Sequence, residues 1–258
     1  MRENELVRSV VKITSLFEVL AKQDEMGLTE ISKTIKVHKS TAYRFLTSLK
    51  ELGYVRQNPE NEKYSLSLRL FEVGAEVLAR LNEREEARPV MKKLAEQTQE
   101  TIHLGMLDND EVIYIDKIDS PQTLRMYSEI GRRSPTYCTA IGKVLLAWAP
   151  PEVINRLLGR GNLYRFTDHT IIEPYRLREE LHKIRERGYA EDHEEHEVGI
   201  CCVAAPIRNM SGEVTASLSI AVPKLRFQKE RLPYLQKLVV EAAREISSHL
   251  GCPPHVSE

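Results

Sequence analysis

The chain lacks most of the features that mark exported, membrane-bound or catalytic proteins. Its four cysteines, Cys138, Cys201, Cys202 and Cys252, follow no disulfide-framework spacing, as befits a reducing compartment. No apolar run approaches the roughly 18 residues needed to cross a bilayer, and no basic-apolar-small leader opens the chain, so a cytoplasmic location without membrane attachment is expected. There is no GxSxG; Gly142-Lys143 lacks the first glycine and the Ser/Thr of a P-loop; Gly159-Arg160-Gly161 lacks a third glycine. A net charge of -1 gives no general attraction to polyanions, so contact with nucleic acid must come from a local patch. The charge divides unevenly, with +2 over residues 1–68 and -3 over the remainder.

What is present is enough apolar residue, 41%, for packed cores within 29% charged residues, over a length of 258 that allows one large domain or two. The most informative stretch runs from Leu28 to Gly53. Leu28, Ile31 and Ile35 recur at helical spacing, and after a short turn Ala42, Phe45, Leu46, Leu49 and Leu52 do so again. The opposite face of the second helix holds Lys39, Ser40, Tyr43, Arg44 and Thr47, with His38 before it and Thr41 in its first turn. These donors suit phosphates and base edges in a major groove. Thr29 is the expected N-cap of the first helix and Gly53 the stop of the second. An earlier helix carries Val10, Ile13, Phe17 and Leu20. After Gly53, Tyr54 to Gln57, an Asn58-Pro59-Glu60-Asn61 turn and Glu62 to Leu66, including Lys63, read as the hairpin wing of a winged helix-turn-helix.

A helical stretch from Leu68 to about Glu86 follows, with Leu70, Val73, Gly74, Val77, Leu78 and Leu81 in a stripe that could pack on its own winged helix or on a second subunit. Pro89 then reads as a fresh helix start. From Thr101 the period becomes that of strands: Thr101–Leu107, an Asp108-Asn109-Asp110 turn, Glu111–Ile118, a third strand near Leu124–Ser128, and two last strands, Cys201–Arg208 and Thr215–Val222. Helices fit Thr139–Ala149, Pro151–Leu158, Pro174–Gly188 and about Lys229–Leu250. Antiparallel strands with surrounding helices make an α+β sensor-type domain. The expected division is a winged helix-turn-helix over 1–67, a helical linker over 68–86 and an effector-binding, oligomerising domain over 87–258.

Several blocks, in one order, resemble the isocitrate-lyase-regulator (IclR) family: Lys39-Ser40-Thr41-Ala42-Tyr43-Arg44-Phe45-Leu46, Thr139-Ala140-Ile141-Gly142-Lys143, Gly188-Tyr189-Ala190-Glu191-Asp192-His193-Glu194-Glu195, and Gly199-Ile200-Cys201-Cys202 with Ala204-Ala205-Pro206. Within it, Glu100 to Gly105 and Leu124 to Arg133 most resemble the repressors of pectin and hexuronate breakdown that respond to 2-keto-3-deoxygluconate. The resemblance implies a GAF/profilin-like C-terminal domain, double-stranded DNA as partner through a palindromic operator, a homodimer or dimer of dimers, and a small carboxylate effector. It places the effector pocket at Met126, Ala140, Ile141, Asp192, Ile200, Cys202 and Ser219. The residue types fit: Ala140 and Ile141 open a helix whose free N–H groups favour a carboxylate, Ser219 and Asp192 offer hydrogen bonds, and Met126 and Ile200 offer apolar walls. Two positions depart from the family pattern. Ala221 stands where a second serine is often found, and His38 where a serine cap is common.

Each pocket residue also has a plainer reading. Met126, Ile200 and Cys202 are ordinary core types, and Asp192-His193-Glu194-Glu195-His196-Glu197 alone reads as a solvated acidic loop. His193, His196, Cys201 and Cys202 offer metal-ligating atoms, but HEEH lacks the HExxH gap and adjacent cysteines rarely share one tetrahedral ion, so no metal or cofactor is expected. A thiol enzyme built on Cys202, His196 and Asp192 is the competing class; with no catalytic motif around it, no enzyme activity is expected.

Overall fold

A computed structural model of the chain describes residues 6–79, 82–126, 128–159, 161 and 163–253; the chain divides into two compact units, 1–80 and 81–258. The first unit runs α1 (Arg8–Leu20), α2 (Leu28–Thr34), α3 (Lys39–Glu51), β1 (Val55–Gln57), β2 (Tyr64–Leu66) and α4 (Arg69–Ala79). Leu16, Leu20, Ile31, Ile35, Leu46, Leu49, Val55 and Tyr64 form its core.

Three expectations for this unit need correction. Val10 is exposed, because the buried stripe of α1 begins a turn later and centres on Leu16. Thr29 is not a cap: α2 starts at Leu28 with Gly27 as N-cap, which leaves Thr29 exposed in the first turn. Leu52 is exposed as well, since α3 ends at Glu51 and the chain turns outward before Gly53 adopts φ 80° and terminates the helix. The hairpin pairs Val55 with Leu66 and Gln57 with Tyr64, and Met26 adds an antiparallel bridge to Tyr64. Its turn is tied to the α1–α2 loop by Asn58 and Asn61, whose amides donate to the Glu25 carboxylate at 3.0 and 2.8 Å. In α4, Phe71, Val73 and Val77 are exposed. The side chain of Leu78, and all of Leu81, lie outside the described residues.

The second unit runs α5 (Asn82–Thr98), β3 (Thr101–Asp108), β4 (Glu111–Ile118), β5 (Arg133–Pro135), α6 (Ala140–Trp148), α7 (Pro151–Gly159), α8 (Pro174–Arg187), β6 (Ala190–His193), β7 (Ile200–Arg208), β8 (Val214–Pro223) and α9 (Leu232–His249). Its antiparallel sheet has the order β5-β4-β3-β8-β7-β6. Strand alternation sorts the side chains into two cores. Ile102, Leu104, Val203, Leu218, Ile220 and Val222 pack with α5 and α9, while Val112, Tyr114, Cys202, Ala204 and Ala221 pack with α6, α7 and α8.

Pro89 does not open a helix: α5 runs through it, because Ala87, Val90, Met91 and Leu94 are buried around it and their burial outweighs the hydrogen bond the proline forgoes. Among the described residues Leu124–Ser128 forms no strand. The ladder position beside β4 is filled by Arg133–Pro135, and Leu124 is exposed. The acidic segment differs most from expectation. Residues 190–193 are the edge strand β6, and Asp192, Glu194 and Glu195 are buried.

Candidate functional site

In the first unit, α3 presents a polar outer face. His38, its N-cap, has φ -65° and ψ 146° and makes no side-chain cap; its carbonyl accepts from the Thr41 and Ala42 N–H groups at 3.0 Å, which leaves the N–H groups of Lys39 and Ser40 as the open end of α3. Around that end His38, Lys39, Ser40, Tyr43, Arg44 and Thr47 are exposed, and Thr41 is half-buried. Ala42, Leu46 and Leu49 hold the opposite face in the core. Among the described residues neither Lys39 nor Arg44 has a carboxylate partner. The turn before α3 is compact because Lys36 takes a left-handed φ of 54°, the Val37 N–H bonds the Ser32 carbonyl at 3.0 Å, and Lys12 of α1 donates to the Ile35 carbonyl at 2.8 Å. Lys63 is exposed on the wing and Thr29 on α2.

In the second unit the seven pocket positions, Met126, Ala140, Ile141, Asp192, Ile200, Cys202 and Ser219, line one cavity with His103, Tyr114, Thr139, His196 and Glu197. The fold explains the convergence. His103 of β3 pairs across the ladder with Ser219 of β8, and Asp192 of β6 with Cys202 of β7, so period-2 alternation turns their side chains to one sheet face. Helix α6 begins over that face. Thr139 caps it by accepting from the Gly142 N–H at 3.2 Å, which leaves the N–H groups of Ala140 and Ile141 as the open end of the helix. Gly142 is required here, because a Cβ would lie 2.5 Å from the Thr136 Cα. Ala221, at the serine position, is buried opposite Cys202.

The cavity wall is poor in free charge. His103 is buried, and desolvation, with the nearby Lys117 ammonium, lowers its pKa to about 4; the neutral ring shares a 2.7 Å hydrogen bond with Ser128. Asp192 is pushed up to about 7 by burial and then by the Glu195 charge, against the pull of Lys143 and of the Glu195 N–H that it accepts at 2.7 Å. Near neutral pH this carboxyl therefore serves as a hydrogen-bond donor as well as the acceptor expected of it. Lys143, 1% exposed, donates to Glu195, whose other oxygen is buried without a hydrogen-bond partner among the described residues.

The raised carboxyl makes a pH signature. Unfolded, Asp192 loses its proton near 3.8; folded, near 7. Between those values the folded chain holds a proton that the unfolded chain has released, so the contribution of Asp192 to stability falls as pH rises through this window. Asp192→Asn removes that dependence while keeping the acceptor for the Glu195 N–H. The melting temperature of the variant, relative to the parent, should be higher at pH 8 than at pH 5, and an offset that does not change with pH would refute the assignment.

Two family models match the chain: the IclR helix-turn-helix domain over residues 9–59 and the bacterial transcriptional regulator IclR C-terminal over 75–248. The chain belongs to the IclR family of transcriptional regulators. Over 250 residues it is 46% identical to the HTH-type transcriptional regulator KdgR of Escherichia coli, covering 97% of this chain and 95% of that one, and 44% identical to KdgR of Dickeya chrysanthemi, covering 97% and 82%. Among solved structures it is similar to an IclR homolog complexed with 4-hydroxybenzoate from Microbacterium hydrocarbonoxydans, with a TM-score of 0.82 and 26% identity over 93% of this chain and 97% of that one.

For an IclR-family chain the acidic segment is structural rather than a solvated loop. The Glu194 carboxylate accepts from the Gly199 N–H at 2.8 Å and pairs with Lys224, while Thr167 and Thr170 hold the Glu194 and Glu195 carbonyls at 2.6 Å. The four sulfur and imidazole groups do not gather at one point. His193 bonds Glu191 at 2.6 Å and the Cys201 thiol, while His196, packed on Phe166 at 4.8 Å between ring centroids, lines the cavity with Cys202, and Cys201 and Cys202 point to opposite faces of β7. Burial and Asp192 push the Cys202 thiol far above the thiolate range, the reverse of an activated nucleophile. His103 and Tyr114 were missed in the sequence because alternation alone makes them strand interior. Thr139 was readable as a cap three residues before Gly142.

Proposed function

We propose that this regulator represses transcription by reading a palindromic operator with α3 and the wing, and that a hydroxylated keto acid of the 2-keto-3-deoxygluconate type enters the cavity and weakens that binding. The cavity carries the reading. An open helix N-terminus suited to a carboxylate sits beside Asp192, His103 and Ser219, a polar set suited to hydroxyl and keto oxygens, between the apolar Met126 and Ile200. The similarity to the two KdgR regulators supports the same effector class. An aromatic acid is the second reading, supported by the 4-hydroxybenzoate bound to the related homolog; the polar lining favours the sugar acid.

The acting species is a homodimer or a dimer of dimers in the cytoplasm, with no cofactor and no turnover of substrate. The exposed Val73 and Val77, one turn apart on α4, support pairing with a second copy, since neighbouring large apolar side chains on a surface favour being covered. Within the chain, 1–67 reads DNA, 68–86 links and 87–258 senses. The effector need only bind the two states of the protein unequally to change operator affinity.

A thermal-shift screen over sugar acids, short keto acids and aromatic acids tests the effector. The keto-deoxy sugar acid should raise the melting temperature selectively, by mass action, and release operator DNA at the same concentrations. No response to any hexuronate breakdown product would overturn the sugar-acid assignment.

A further inference from the structure

A second cleft in the sensing unit shares no residue with the effector cavity. Strand β6 pairs with β7 only as far as Ala190 opposite Ala204, so among the described residues the end of β7 has no strand neighbour on that side. The last turn of α8 and the flank of α9 border this gap, forming a cleft whose charged lining is Arg185, Glu186, Arg187, Arg208 and Arg244. Arg208 is half-buried. Its guanidinium lies 5.0 Å from the Trp148 ring centroid and donates to the Gly212 carbonyl at 3.0 Å, and burial holds its pKa below the ordinary arginine value. Arg185 donates to the Ala147 carbonyl at the end of α6. Among the described residues neither has a carboxylate partner, whereas Arg187 is matched by Glu180 at 2.8 Å.

Helix capping accounts for part of this arrangement, because arginines in the last turn of α8 complement the helix dipole. It does not account for the charge. Carbonyl dipoles do not neutralise a guanidinium, and a half-buried cation without a counter-ion is unfavourable unless something else completes it. The open edge of β7 is a poor template for an added strand, since Pro206 has no N–H and the Arg208 N–H is already bonded to Ser247 Oγ at 2.9 Å. The planar fork of arginine matches an oxyanion through two parallel hydrogen bonds.

We infer that this cleft is a second ligand site, taking a small oxyanion of two or more negative charges, a phosphate ester or a polycarboxylate, between Arg208 and Arg185. It gives the regulator a chemical input separate from the keto-acid cavity.

Calorimetric titration of the full chain at constant ionic strength tests this, with pyrophosphate and citrate as probes and glycerol as the neutral control. Saturable binding of one or both charged probes is expected, and their ranking separates a phosphate from a carboxylate ligand. Arg208→Gln and Arg185→Gln should each weaken binding about tenfold, in line with losing hydrogen bonds to a charged group, while the thermal response to keto acids is retained. Arg185 is exposed, so its variant carries the test if Arg208→Gln does not fold. Absence of saturable binding, or binding undiminished in both variants, would overturn the site, as would a change of oligomeric state in the variants with anion binding intact.

Discussion

Replacement of Lys143 by methionine is expected to destabilise the sensing unit by about 3–5 kcal/mol, the range for breaking a buried ion pair on one side only. Lys143 lies on α6 with 1% of its surface exposed, and its ammonium is bonded to Glu195. Methionine fills a similar volume, so the loss comes from the stranded carboxylate rather than from a hole. Glu195 already has one buried oxygen without a partner among the described residues, and its charge raises Asp192. Without Lys143, the Glu195 carboxylate would be left buried with no counter-charge. In thermal melts the drop should be on the order of 10 °C at neutral pH. Lys143→Met combined with Glu195→Gln should recover most of the loss, since no unpaired charge then remains buried. A single variant as stable as the parent would mean that Glu195 finds water when its partner is gone.

That ion pair also shows where sequence reading stops. The helix pair and wing were legible because everything that specifies them is local: the apolar spacing of Ile31, Ile35, Leu46 and Leu49, the Gly53 stop, and the Asn58-Pro59 turn. The hairpin from Thr101 to Ile118 was legible for the same reason. Strand β6 was not. Asp192, Glu194 and Glu195 look like solvent-facing residues until Lys143, fifty-two residues earlier, and Lys224, thirty residues later, are brought beside Glu195 and Glu194. Glu100 is a similar case. It is buried with Arg226 at 2.6 Å and Arg231 at 2.8 Å, so a block that resembled a family signature serves the fold through residues more than 120 positions away. Of the cavity, the seven positions carried over by resemblance converge in space, although their own spacing did not require it. His103 became visible only when the register set it opposite Ser219.

Truncation of Arg44 to alanine is expected to have its effect on the other unit's task. Arg44 is exposed on the outer face of α3, one turn beyond the helix start, and among the described residues no carboxylate neutralises it. A guanidinium so placed suits a guanine edge, and losing such a contact costs about 1–3 kcal/mol per half-site. Two copies on a palindrome lose it twice, so specific affinity should fall by about two orders of magnitude or more, while binding to unrelated duplex falls much less. Lys39→Ala provides the contrast. As a flexible ammonium beside the helix end it suits a phosphate, so its loss should weaken specific and non-specific binding alike and lower the salt slope by about one per half-site. Both variants can be read in gel shifts against a duplex selected from a random pool, titrated across salt. The core residues Ala42, Leu46 and Leu49 point away from Arg44, and Lys39 is exposed at the start of the helix, so the thermal response to keto acids should be intact in each. If Arg44→Ala leaves the ratio of specific to non-specific affinity unchanged, α3 is not what reads the operator, and the wing around Lys63 becomes the element to test.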